Sequence, residues 1–330
     1  MSLGTALADL LHLGAAPDGS TRAALARVVA IVGPVIAAAS GFERRLAVPV
    51  RDALAFCAQL VDRLPGPLAI DRQAFAGDPL VHALFATPAD IEQMLGRSQT
   101  LRDYLAATPG QVDGEVHALF ATRRREKHTL GMALQGDMLR RDVPQTLLYF
   151  TDHTLAAVSA DAQQTREQLR AAAFDSLLRA FAAHVDAIRG ERQAVHDQRD
   201  AALAQPVAPA AEAQQQAGGA QTRRLAELEK SLRDITAALQ ADPLADSLQR
   251  FLLAPDQSLR LEPVHLCVDR NGVIADASAA ATGSLFSLNF PELVARDRRR
   301  YLVTLARFSR QEAQRAVDKV CDQQRRFIII

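Results

Sequence analysis

The organisation of this chain turns on the stretch FDSLLRAFAAHVDAIRGERQAV, residues 174–195. Within it Phe174, Leu178, Phe181, Val185, Ile188 and Val195 follow alternating steps of four and three, with one step passed over at Arg192. That is the rhythm of a coiled-coil seam. From about Asp161 to Ala204 there is no proline and only one glycine, Gly190. A helix of that span, rising about 1.5 Å per residue, approaches ~65 Å. With charged flanks it cannot bury itself in a compact domain, and it calls for a partner helix.

The same rhythm restarts at Leu225, Leu228, Leu232, Ile235 and Leu239 and stops at Pro243. Between the two seams lies QPVAPAAEAQQQAGGA, residues 205–220, which reads as a low-complexity flexible linker. Two heptad segments around a flexible tip predict an antiparallel coiled-coil hairpin over 159–242. Its second arm is about half as long as the first, leaving part of the first arm for another chain or another part of this one.

Working outward to the N-terminal side, residues 1–158 read as a helical body. Thr21–Ala39 and Phe42–Leu64 carry apolar residues at helical steps, and Leu64-Pro65-Gly66-Pro67 is a strong stop. Thr87-Pro88-Ala89-Asp90 is an N-cap, a first-position proline and an acidic third residue, predicting a helix to about Leu95. An internal repeat follows: VHALFAT at 81–87 recurs at 116–122, and aligning 78–109 with 113–144 gives 11 identities in 32 positions. The expectation is one duplicated helical unit packing on itself, since a solenoid needs at least three copies. Gln145–Thr151 reads as a short strand.

On the C-terminal side, residues 243–330 change character. Leu261–Val268, the turn Asp269-Arg270-Asn271-Gly272 and Val273–Ala275 predict a β-hairpin, because Asn-Gly is the preferred two-residue turn pair. Tyr301–Phe308 reads as a strand and Gln311–Val320 as a helix. The predicted fold class is therefore mainly α with a small α+β C-terminal module. A helical N-terminal body comes first, the antiparallel coiled-coil hairpin lies in the middle, and the C-terminal module ends in a basic segment.

Composition bounds the function. The chain has 330 residues, of which 48% are hydrophobic, too many for a wholly disordered protein. Its 38 Lys+Arg balance 38 Asp+Glu, which argues against a polyanion-wrapping protein. Only 3 of the 38 are lysine and there are 62 alanines, the bias expected of a GC-rich bacterial genome. Three scattered cysteines make no disulfide scaffold and fit a reduced, cytoplasmic setting. Met1–Gly14 lacks a basic segment and carries Asp9, unlike a secretory signal. The longest uncharged run, Val28–Phe42, is shorter than the roughly 20 apolar residues a spanning helix needs and is interrupted by Pro34. It is expected to be a core helix, not a membrane segment.

Catalytic signatures are missing. There is no Gly-x-Ser-x-Gly, phosphate-binding glycine loop, Gly-x-Gly-x-x-Gly after a strand, or His-Glu-x-x-His. No enzyme activity, cofactor or metal is expected. His82 and His117 share a repeat position and could meet, with Asp152-His153 nearby, but no ligand spacing supports a metal site. Two arginine runs are candidate phosphate contacts, Arg123-Arg124-Arg125 and Arg298-Arg299-Arg300. Few aromatics interleave with them, so a solvated or ion-paired face is the stronger expectation. The chain ends in Phe327-Ile328-Ile329-Ile330, expected to dock on the C-terminal module and otherwise suited to a partner groove. The expected function is a non-enzymatic interaction or scaffold protein, oligomerising or binding a protein partner through its coil. The alternative is a nucleic-acid-associated accessory factor using the arginines.

Overall fold

The computed structural model describes residues 18–109, 113–135, 138–204, 211–275, 285–296 and 299–327. In chain order the elements are α1 (Gly19–Val32), a 3-10 turn (Pro34–Ala38), α2 (Phe42–Asp62), β1 (Leu68–Ala69), α3 (Arg72–Gly77), α4 (Pro79–Leu84), α5 (Pro88–Arg97) and α6 (Gln99–Ala107). The strands β2 (Glu115–Gln135) and β3 (Met138–Ser159) follow, then the helices α7 (Ala162–Ala204), α8 (Ala211–Ala238) and α9 (Ala241–Leu252). The chain continues through β4 (Leu259–Val268), β5 (Phe286–Ala295), β6 (Arg300–Ser309) and α10 (Arg310–Phe327). It divides into two compact units, Cys57–Ala172 with Asp256–Ile330, and Met1–Phe56 with Ala173–Pro255.

The first of these units is built on a six-stranded sheet of order β3-β2-β6-β5-β4, antiparallel along that path, with β1 adding in parallel to β6. Strand β6 lies in the middle. Its run Leu302-Val303-Thr304-Leu305-Ala306 is buried on both faces, as a central strand requires. Helices α4, α5, α6 and α10 supply the rest of the core, where Val81, Leu84, Ile91, Leu95 and Leu101 join Phe120, Leu302 and Phe308. The helix starts are set locally. Asp71 accepts from Ala74 N (2.7 Å), Asp78 from Leu80 N (2.7 Å), and Asp90 from Thr87 N (2.8 Å) in the predicted capping box.

Strands β2 and β3 form a hairpin of 21 and 22 residues. Its register slips three times, between His117 and Leu119, between Ala121 and Arg123, and between Gly131 and Ala133. Opposite these slips Ala157, Asp152 and Asp142 take positive φ. Each is a bulge, which inserts a residue and bends the ribbon. Only Glu115–Thr122 of β2 also pairs with β6.

Several expectations are overturned here. The fold is not mainly α with a small C-terminal module: the described residues are 60% helix and 27% strand, and the sheet draws strands from several places in the chain. The second repeat copy, 113–144, is not a helical unit. It forms β2 and the start of β3, whereas the first copy, 78–109, is helical. The physical reason is pairing: 115–122 lies between β3 and β6, and those ladder bonds override the local preference shared by both copies. Gln145–Thr151 is the middle of a long strand, not a short one. The turn expected at Asp269–Gly272 does return Ile274 antiparallel onto Val268, but this hairpin is only a bridge long, and the long antiparallel partner of β4 is β5. The linker expected over 205–220 is helical from Ala211, and 205–210 lie outside the described residues.

The second unit is helical. Val28, Val32, Ile36, Leu46, Val50, Leu177, Leu178, Phe181, Leu248 and Leu252 are among its buried side chains. Phe181 meets Phe251 with ring centroids 5.4 Å apart. Arg45 pairs with Asp242 (2.6 Å) and with Asp246, Ser40 N donates to Asp242 (2.9 Å), and Arg27 pairs with Asp175. The apolar run 28–42 forms the end of α1, the 3-10 turn and the first residue of α2. Among the described residues no helix is long and apolar enough to cross a membrane.

Two helical glycines make opposite predictions. A Cβ at Gly96 on α5 would lie 2.5 Å from Ala316 O and from a Val320 methyl on α10, so this glycine lets two backbones meet. At Gly190 on α7 a Cβ meets nothing within 4 Å. Gly190→Ala should therefore stabilise by up to about 1 kcal/mol through helix propensity. Gly96→Ala should destabilise by about 1–3 kcal/mol through overpacking. Thermal melts of the two variants check the signs; a stabilising Gly96→Ala contradicts the close approach.

Candidate interaction surfaces

The first seam divides along α7. Phe174, Leu178, Phe181 and Val185 are buried within the helical unit, while Ile188 and Val195 are only half-buried. On α8 and just beyond it, Leu225, Leu228, Leu232, Ile235 and Leu239 are all half-buried. Their neighbours Glu191, Arg192, Arg224, Glu227 and Arg233 are exposed. A stripe of half-covered apolar residues thus runs along both helices. The helices meet near their junction, where Gln221 Nε2 donates to Ala202 O (2.8 Å) and Ala202 is buried. Alternation of four and three places each seam residue on one face of its helix.

The two arginine runs, remote in sequence, come together on the sheet. Thr122 of β2 is the register partner of Leu302 of β6, which sets Arg124 and Arg300 on neighbouring strands. Both reach Glu292 of β5. Arg124 Nε donates to Glu292 Oε1 (2.7 Å), and Arg300 lies 3.5 Å from Oε2. Glu292 is 1% exposed. A carboxylate that deep needs hydrogen-bond partners, and two guanidiniums supply them. The network extends outward: Arg124 also pairs with Glu126, and Arg300 donates to Glu262 (2.7 Å), which also accepts from Arg260 (2.7 Å). Arg260, and then Arg300, hold the Glu262 carboxyl below its usual range.

Other members of the runs are placed differently. Arg123 lies 3.7 Å from Asp152 and stacks over Tyr301. Arg125 is exposed, Arg299 has a partner of its own, and Arg298 falls outside the described residues. Phe327 ends α10, and Ile328-Ile329-Ile330 also fall outside the described residues.

The histidines separate. His82 lies on α4 against Phe75 (4.9 Å), and His117 lies on β2, 3.9 Å from Glu115. His153 follows the bulge at Asp152 and is turned onto Phe85, stacked at 4.8 Å, where its Nε2–H donates to Leu84 O (2.7 Å). Burial lowers its pKa. Among the described residues no group of three or more His, Cys, Asp or Glu could hold a metal ion. Burial pushes the Cys57 thiol up to about 12, so it is no thiolate nucleophile.

Sequence reasoning missed Glu292 and Glu262. No spacing marks them: they become partners of the arginines only when β5 is laid between β4 and β6. Comparisons of the chain with family models, with curated proteins and with solved structures find no match.

Glu292→Ala removes one side of this network and strands two guanidiniums over a buried gap. The expected loss in urea unfolding is about 2–4 kcal/mol, reduced from a fully buried pair because Arg300 is half exposed. Glu126→Ala, at the rim, should cost less than about 1 kcal/mol. Equal costs for the two variants contradict a central role for Glu292.

Proposed function

We propose that the chain is a non-enzymatic interaction protein that self-associates through α7 and α8, two copies packing their half-covered stripes into a four-helix arrangement. The observation that carries this reading is the half-burial of Ile188 and Val195 on the first heptad segment, which passes over one step at Arg192, and of Leu225, Leu228, Leu232, Ile235 and Leu239 on the second. Covering the remaining half of such a side chain contributes about 1 kcal/mol. Seven side chains from each of two copies offset an association cost of about 4–15 kcal/mol. A second copy suits the surface for a further reason. The flanks mix both signs, with Arg189, Arg192, Arg199, Arg224, Lys230 and Arg233 among Glu191, Asp197, Asp200, Glu227, Glu229 and Asp234. A two-fold relation can set these opposite one another.

Phosphate binding through the arginine runs is the weaker reading, because Arg124 and Arg300 already face carboxylates. Light scattering on the eluting full chain tests self-association. The expected mass is at least twice the 35.7 kDa of one chain, falling to one chain in Leu228→Glu/Leu232→Glu, which keeps a cooperative melt at a temperature lowered by the lost association. A wild-type monomer at high micromolar concentration overturns the reading.

A further inference from the structure

The sheet unit holds a cavity of about 1200 Å³. One wall is α5, which turns Asp90, Gln93, Met94 and Arg97 toward it at steps of three and four. Facing it are β3, from Leu147 to Leu155, and the turn Asp269–Gly272. The deep part is core. Leu84, Phe85, Met94, Leu148, Phe150 and Val268 all belong to the buried cluster of this unit and also line the space. Tyr149, 41% exposed, lines it as well. Ligand sites have this form, an apolar floor with a few polar groups converging on it.

The charged groups on the lining are not equivalent. Each of the three carboxylates is turned back onto its own backbone. Asp78 accepts from Leu80 N and Val81 N, Asp90 from Thr87 N, and Asp269 from Asn271 N (2.8 Å) and Val273 N (2.9 Å). His153 spends its one N–H on Leu84 O, and burial favours its neutral form. Thr100 Oγ1 donates to Leu155 O. The guanidiniums of Arg97 and Arg270 have no hydrogen-bond or ion-pair partner among the described residues. They are the charges left to meet something in the cavity. The N-terminus of α6, with Ser98, Gln99 and Thr100 on the lining, adds positive potential to the same space.

We infer that this cavity binds an amphipathic organic anion, its apolar body on the Phe85–Met94–Phe286 surface and its acidic group between Arg97 and Arg270. A guanidinium suits a carboxylate, sulfonate or phosphate through paired N–H donors. The volume exceeds what a small inorganic anion fills, and the floor offers such an ion nothing. This site is separate from the seam of α7 and α8 and does not rest on self-association.

The test uses the full chain and two fluorescent probes that share a ring system. One is the anionic 1-anilinonaphthalene-8-sulfonate; the other is N-phenyl-1-naphthylamine, which lacks the sulfonate. Wild type should bind both saturably. Arg97→Gln/Arg270→Gln should weaken the anionic probe at least ten-fold and leave the uncharged one within two-fold. Ala83→Trp, which fills the space, should abolish both. Cooperative melts at the wild-type temperature confirm that each variant is folded; if Ala83→Trp melts early, the arginine pair decides alone. Absence of saturable binding to wild type overturns the inference. So does an unchanged affinity for the anionic probe in the arginine variant, an equal loss of both probes there, or binding that survives a folded Ala83→Trp.

Discussion

Strand β6 is the constraint on which the sheet unit depends. It sits between β2 and β5 and also takes β1 in parallel, so three separate stretches of chain are joined through one ten-residue strand. Its β2 partner lies more than 170 residues earlier: Thr122 pairs with Leu302. Such a pairing carries a higher loop-closure cost than a local contact does. Charge reinforces it. Arg124 on β2 and Arg300 on β6 both reach the buried Glu292 on β5, so one carboxylate ties three adjacent strands together. Slipping any of these strands by one residue would turn its charged member to the other face, leaving Glu292 uncompensated.

The same topology accounts for the helices between β3 and β4. Those two strands occupy opposite edges of the sheet, and the chain that connects them carries α7, α8 and α9. A connection that long is free to hold a structure of its own. The first part of α7 is committed to the helical unit through Phe174, Leu178, Phe181 and Val185. Beyond Val185 the seam residues of α7, like those of α8, are only half-buried. Self-association is the proposed completion of their stripe.

How much of this was legible in the sequence depended on whether local chemistry or distant pairing decided the element. Thr87, Pro88 and Asp90 announce α5 because a cap is satisfied within one turn. Strand β6 was legible as a run of β-branched and apolar residues, and the long helix α7 as a stretch without proline. The hairpin β2–β3 was not, and VHALFAT shows why. At 81–87 it begins as the last turn of α4, opened by the Asp78 cap and Pro79. At 116–122 the same seven residues are strand, preceded by Gly114 at positive φ and held by ladders on both sides. Identical residues therefore carry two structures, and the partner decides between them. Glu292, Glu262 and the cavity were illegible for a related reason. A carboxylate in an alternating strand looks solvated until its cross-strand neighbours are known, and Arg97 and Arg270 share a cavity only after α5 and the 269–272 turn are placed.

Hydrogen exchange over residues 221–239 at two protein concentrations tests the proposed association most directly, because it reads the seam itself and not the size of the particle. If a second copy covers the stripe, amides around Leu228 and Leu232 exchange more slowly as concentration rises, while those of β6 stay constant. Exchange in 221–239 that is independent of concentration contradicts the account.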